Sequence, residues 1–173
     1  MQLLDKFKQI RLIVFDMDGV LTNGKLLLLS TDQWIREMDI KDGFALQLAV
    51  KSGLIIAVIT GSSSEPVKSR LSMLGVDRFY DRIVSKGEKI VELMDDLQLS
   101  KHEVLFMGDD IPDLEVFQHV GIRSCPADAA IDLKNEADYI SPNNGGNGCV
   151  RDVLEKVLRV QGKWIESVRV QSI

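Results

Sequence analysis

Apolar residues fall into short unbroken runs separated by longer stretches with helical spacing. The run Leu12, Ile13, Val14 and Phe15 has no polar alternation, the pattern of a strand buried on both faces of a parallel sheet. Leu54–Ile59, Glu103–Met107 and Gly121–Ser124 repeat the theme, with shorter candidates at Arg82–Val84 and Asp138–Ile140. The intervening segments read as helices. Phe44–Lys51 is apolar at 44, 45, 48 and 49 and closes on Gly53. The next runs to Leu74 and stops at Gly75; Ser62 with Glu65 makes a capping-box pattern at its start, and Pro66 stays in the tolerant first turn. Further helices are predicted from about Glu88 to Leu97, up to His119, over Ala127–Asn135 and from Val150 to about Val160. Repeated strand–helix units predict an α/β fold, a Rossmann-like three-layer α/β/α sandwich around a central parallel sheet. One stretch breaks the alternation. Lys25–Leu29 and Gln33–Met38 flank a Ser30, Thr31, Asp32 turn and read as a small β-hairpin inserted after the first strand, over about 24–38. Leu26 to Leu29 are more apolar surface than so short a hairpin leaves in water, so they are expected to be covered.

The chain has 173 residues, 45% of them hydrophobic, enough for one full core, so a single domain over 1–173 is expected. A net charge of −5 argues against a nucleic-acid or anionic-membrane surface. It leaves a small anionic substrate open, because a bound cation reverses the local sign. No signal-peptide pattern and no membrane-length apolar run is evident, which predicts a cytoplasmic protein. Cys125 and Cys149 form no Cys-x-x-Cys pair and read as free thiols of a reducing compartment. Neither cysteine receives a role, and the tail after Trp164 is left unassigned.

Candidate chemistry gathers where predicted strands end. Asp16 and Asp18 follow the first strand and, two apart in an extended chain, start on one face. Two carboxylates about 4 Å apart repel by about 4 kcal/mol at an effective dielectric near 20, so they call for a cation, a shared proton or solvent. Thr60 and Gly61 follow the second strand, Lys86 the third, and Asp109, Asp110 and Asp113 the fourth. Carboxyl ends of strands are where open α/β sheets bind ligands. Blander readings remain for some of them: Thr60 as a strand terminator, Lys89 in place of Lys86, and Asp110 with Asp113 as charges at a helix N-terminus. His102 and His119 lack ligand companions and read as surface or structural groups. Trp34 and Trp164 read as packing or interface residues.

Taken in order, Asp16-x-Asp18-Gly19, Thr60-Gly61, Ser85-Lys86 and Gly108-Asp109-Asp110-x-x-Asp113 resemble the motifs of the haloacid dehalogenase superfamily of phosphotransferases. That resemblance implies an aspartyl-phosphate mechanism. Asp16 is expected as nucleophile and Asp18 as general acid and then base. Thr60, Gly61 and Lys86 are expected to hold phosphoryl oxygens, with Lys86 also counted among the catalytic groups. Mg²⁺ is the implied cofactor, on the carboxylates of Asp16 and Asp109 and the backbone carbonyl of Asp18, with Asp110 and Asp113 supporting from behind.

The spacing leaves no room for a cap domain after Thr22 or after Thr60. The hairpin, Val20 to Thr22, Lys41 to Gly43, Arg70, and the loop Gly145 to Gly148 before Val150 and Arg151 resemble the capless 3-deoxy-D-manno-octulosonate 8-phosphate phosphatases. This implies hydrolysis of a phosphorylated sugar acid, a step of lipopolysaccharide precursor synthesis. Phosphatases for a nine-carbon keto-deoxy sugar acid 9-phosphate, or of broad scope, stay open, as does a non-catalytic assembly domain related to acylneuraminate cytidylyltransferase. Ser62, where relatives often carry a charge, and Arg70 are expected on one helix face as substrate contacts, Arg70 towards the sugar acid's carboxylate. The resemblance also implies a homotetramer in which hairpins, too short to cover their own sites, wall those of their neighbours.

Overall fold

The computed structural model describes residues 2–164; the tail after Trp164 lies outside the described residues. The elements follow the order α1 (Leu3–Gln9), β1 (Leu12–Phe15), β2 (Leu27–Leu28), β3 (Trp34–Ile35), α2 (Ile40–Lys51), β4 (Ile55–Ile59), α3 (Glu65–Met73) and β5 (Arg78–Tyr80). They continue with α4 (Lys86–Asp96), β6 (Val104–Met107), α5 (Leu114–Phe117), β7 (Ile122–Cys125), α6 (Ile131–Glu136), β8 (Tyr139–Ile140) and α7 (Cys149–Val160). Six strands form one sheet in the order β5-β4-β1-β6-β7-β8, and each adjacent pair is parallel.

Strand β1 sits at the centre and its residues alternate between two cores. Ile13 and Phe15 point into a core built with α1, α2, α3 and α7. Leu12 and Val14 point into a second core with α4, α5 and α6. The unbroken apolar run of β1 is thus the signature of a strand covered on both sides. The chain leaves β1 for β4 and β5 on one side, then crosses to β6, β7 and β8 on the other. The point where it reverses lies beside the end of β1, where such sheets open a crevice.

Four expectations need correction. The third strand of the parallel series is Arg78–Tyr80, not Arg82–Val84: Ala57, Val58 and Ile59 pair with Arg78, Phe79 and Tyr80. The β-branched Ile83 and Val84 suggested a strand, but Arg82 adopts a positive φ of 55° and turns the chain away. Helix α3 starts at Glu65 after Ser64, so the Ser62–Glu65 capping box does not form and Ser62 is not on the helix. Helix α4 starts at Lys86 rather than Glu88, capped by Ser85, whose Oγ accepts the Glu88 N–H at 3.1 Å. Helix α2 starts at Ile40 behind Asp39, which places Asp42 in its first turn. The N-terminal helix α1 carried no sequence signal of its own; Phe7 anchors it in the core.

The hairpin is present, with Leu27 opposite Ile35 and Leu28 opposite Trp34. Both of its strands are exposed, Leu27 to 60% and Leu28 to 63%, so the chain itself does not cover them.

Candidate active site

The loop after β1 is a wide turn, Met17–Leu21, in which Gly19 takes a φ of 92°. That conformation suits glycine, and space requires it too: a Cβ on Gly19 would lie 1.9 Å from Asp109 Oδ2. The turn brings the first loop against the acidic loop. Register does the same for the strands, since Phe15 pairs with Met107 and the Asp16 N–H donates to the Met107 carbonyl at 2.9 Å. Gly108 lets the acidic loop fold on itself. A Cβ there would lie 2.3 Å from Asp113 Oδ2, the oxygen that accepts the Asp109 N–H at 2.9 Å.

The result is a buried charge cluster. Lys86 Nζ lies 2.9 Å from Asp16 Oδ1 and 2.6 Å from Asp113 Oδ1, with all three side chains at most 10% exposed. The Lys86 backbone N–H donates to Glu115 Oε1 at 2.6 Å, so a carboxylate also anchors the start of α4. Carboxylate oxygens of Asp16, Asp109 and Asp113 lie within 4.8 Å of one another, close enough to share a cation. Without a cation the carboxyls compete. Burial, then the Asp113 charge, pushes Asp16 up to about 6 against the pull of Lys86. Burial, then the charges of Asp16 and Asp113, pushes Asp109 up to about 8. Burial pulls the Lys86 ammonium down, but Asp16 and Asp113 outweigh it and its pKa is raised. A carboxyl cluster this hard to ionise fits a divalent cation, and an all-oxygen donor set suits Mg²⁺.

Of the other expected residues, Thr60 is buried at the end of β4, and its Oγ1 accepts the Ser62 N–H at 3.1 Å. Gly61 begins the same loop, close to Ile83: a Cβ on it would lie 3.5 Å from the Ile83 carbonyl oxygen. Asp110 is a helix cap, its Oδ1 accepting the Ile111 N–H at 2.8 Å, and it stays outside the carboxylate cluster. Asp113, expected only in support, sits among the potential ligands. The Asp18 side chain is not in the cluster. Ser62 and Arg70 are not paired on a helix face: Ser62 precedes α3, and Arg70 Nη2 lies 3.3 Å from where a Gly43 Cβ would be, towards α2.

Sequence reasoning missed Arg36. From the hairpin its Nε donates to Asp18 Oδ1 at 2.7 Å and its Nη2 to Asp18 Oδ2 at 3.1 Å, while Nη2 also reaches Ser62 Oγ at 2.9 Å. The hairpin therefore does reach its own site, through a long side chain rather than by folding over it. One signal was available: Arg36 is the one basic residue within an otherwise apolar second hairpin strand, Trp34 to Met38, apart from Glu37.

Comparison with known proteins places this geometry. A family profile described as haloacid dehalogenase-like hydrolase matches residues 78–153. The 3-deoxy-D-manno-octulosonate 8-phosphate phosphatase of Escherichia coli strain K12 is 32% identical over 97% of this chain and 89% of its own. The chain belongs to the haloacid dehalogenase-like hydrolases. Among solved members of this hydrolase family, the Moraxella catarrhalis phosphatase of the same name, in complex with magnesium ion, phosphate ion and KDO, superposes with a TM-score of 0.88. It is 32% identical, covering 92% of this chain and 91% of that one. The Yersinia pestis phosphatase superposes with a TM-score of 0.89 at 29% identity, over 92% and 86% of the two chains. No helix among the described residues is long and apolar enough to cross a membrane.

Proposed function

We propose that this protein is a Mg²⁺-dependent phosphatase of a sugar-acid phosphate, 3-deoxy-D-manno-octulosonate 8-phosphate above others, acting in lipopolysaccharide precursor synthesis. One observation carries it: Asp16 after β1, Asp109 and Asp113 after β6, and Lys86 at the start of α4 converge in one largely buried cluster at the sheet's reversal point. The relatives named for that substrate support the choice of ester.

Asp16 attacks phosphorus, the bond to the sugar oxygen breaks, and that oxygen takes a proton from Asp18. Asp18 then takes a proton from water, the water oxygen attacks the aspartyl-phosphate, and Asp16 is released with inorganic phosphate. Thr60, the Gly61 loop and Lys86 bind the phosphoryl oxygens. Lys86, already on Asp16, is placed to follow the oxygens as charge moves. Asp16, Asp109 and the Asp18 carbonyl, with Asp113 close by, would hold Mg²⁺, which supplies charge neutralisation to the phosphoryl group. The Asp16 side chain is 9% exposed, so little water surrounds its carboxylate.

The same reading takes 1–173 as one catalytic domain in the cytoplasm, consistent with two free buried cysteines. Burial pushes the Cys125 thiol up to about 11 and raises that of Cys149 further, so neither is a nucleophile at neutral pH. It also takes the exposed apolar hairpin as the contact of a homotetramer. A panel of sugar phosphates assayed with Mg²⁺ and again after chelation tests the assignment. The eight-carbon sugar-acid phosphate should give the highest kcat/KM, and chelation should abolish turnover. Preference for the nine-carbon 9-phosphate would move the substrate assignment, and full activity in metal-free buffer would remove the mechanism.

A further inference from the structure

Arg36 is the unusual residue of the hairpin. Both hairpin strands lie in solvent, yet the Arg36 side chain is only 5% exposed while its partner Asp18 remains 33% exposed. A half-buried ion pair adds little net stability, because desolvating the guanidinium offsets much of the attraction. Its placement therefore points to the site. The guanidinium meets both Asp18 oxygens and Ser62 Oγ at once, joining the hairpin to the loops after β1 and β4. The backbone holds this register. Met38, two residues on, bridges to Thr22, whose Oγ1 also donates to Asp18 Oδ1 at 3.4 Å. Asp18 is thereby held in one orientation, with its side chain outside the carboxylate cluster.

We propose that Arg36 is a positioning residue for Asp18, so that the hairpin sets the geometry of the proton-transferring carboxylate: the Nε contact to Oδ1 holds it when Oδ2 carries the proton, Nη2 then keeping Ser62 Oγ, and both oxygens are held when it is ionised. This rests on the phosphatase reading and on Asp18 as its acid and base. A planar fork does what a lysine cannot, since one ammonium cannot span both carboxylate oxygens and the serine together. Proton transfer by a placed side chain contributes roughly 10²–10⁴ in rate, so loosening it has a visible cost.

The test compares wild type, Arg36→Gln and Arg36→Lys at saturating Mg²⁺ on the sugar-acid phosphate and on p-nitrophenyl phosphate, whose leaving group needs no proton. Arg36→Gln should lose about tenfold or more in kcat on the sugar ester, with a much smaller change in KM, and less on the aryl ester. Arg36→Lys should recover part of the loss. In an Asp18→Ala background, Arg36→Gln should cost nothing further. Three results would overturn the proposal: wild-type kcat in Arg36→Gln, a loss confined to KM, or a full additional loss in the Asp18→Ala background. Should Arg36→Gln fail to fold, Arg36→Lys alone decides by whether its kcat falls more than its KM rises. A wild-type protein inactive on every phosphomonoester would instead sink the phosphatase reading itself.

Discussion

Asp16 and Asp18 stand two residues apart and differ in what surrounds them. Asp16 shares its ammonium partner with Asp113 and is nearly buried, whereas Asp18 meets a guanidinium at the rim. Asp16→Asn should end turnover, while Asp18→Asn should still allow slow phosphorylation of Asp16, visible as a stoichiometric burst with an activated aryl phosphate. An Asp16→Asn protein that retained more turnover than Asp18→Asn would exchange the two roles. The metal-free cluster also makes a pH prediction. Asp16 at about 6 and Asp109 at about 8 lie above the ordinary carboxylate value near 4, so between those values the folded state binds more protons than the unfolded chain. Stability without metal is therefore greatest on the acid side of the window and falls as pH rises from about 4 to about 8. Mg²⁺ competes with those protons, so its stabilisation should grow over the same range. Thermal unfolding at pH 5.5 and pH 8, with Mg²⁺ and with chelator, reads this directly; a Mg²⁺ shift that is larger at the lower pH would contradict it. Asp42, pushed up to about 6 by burial, adds to the decline but lies outside the metal cluster, so its share should persist with Mg²⁺ present.

At the scale of elements, the loop over 143–148 braces the Met17–Leu21 turn. The Gly146 N–H and Cys149 Sγ–H both donate to the Val20 carbonyl, at 2.9 and 3.3 Å, and a Cβ on Gly145 would lie 1.9 Å from the Gly19 carbonyl oxygen. Asp42 steadies the other side by accepting the Arg151 N–H at 2.7 Å at the start of α7. Gly145→Ala should cut activity at least about tenfold by displacing the turn, while circular dichroism keeps its wild-type form because residues 143–148 carry no helix or strand of their own. An active Gly145→Ala protein would show that the brace does not matter. Much of this was legible in advance. The apolar runs of β1, β4 and β6 identified central strands and their ends gathered Asp16, Thr60 and Asp109, whereas Lys86 was expected after a strand over 82–84 that does not form and instead opens α4. Local pattern failed where tertiary contact decides. Edge strand β5 was displaced because Arg78–Tyr80 and Ile83–Val84 have comparable β character, and only pairing to Ala57–Ile59 selects the earlier residues. Arg36 escaped because nothing local announces a side chain whose partners lie eighteen and twenty-six residues away.

For the whole molecule, the proposed phosphoryl site at the sheet's reversal point leaves little surface for the rest of a sugar acid, and among the described residues no cap domain encloses it. The hairpin carries Leu26 to Leu29, Trp34 and Ile35 exposed by 43% or more. Burying each such side chain is worth roughly 1.5–3 kcal/mol, enough to drive association, and a closed ring leaves no hairpin open. If the hairpins build the proposed tetramer, Leu27→Glu with Leu29→Glu should dissociate it in light scattering and lower activity on the sugar-acid phosphate more than on an aryl phosphate. A wild-type monomer at micromolar concentration with full sugar-acid turnover would refute that assembly. The central claim is chemical, and one measurement bears on it most directly: steady-state release of inorganic phosphate from 3-deoxy-D-manno-octulosonate 8-phosphate with Mg²⁺, wild type beside Asp16→Asn. Rapid release by wild type, silenced by chelator and absent from Asp16→Asn, is the predicted result. Release that survives either the chelator or the loss of the Asp16 carboxylate would contradict it.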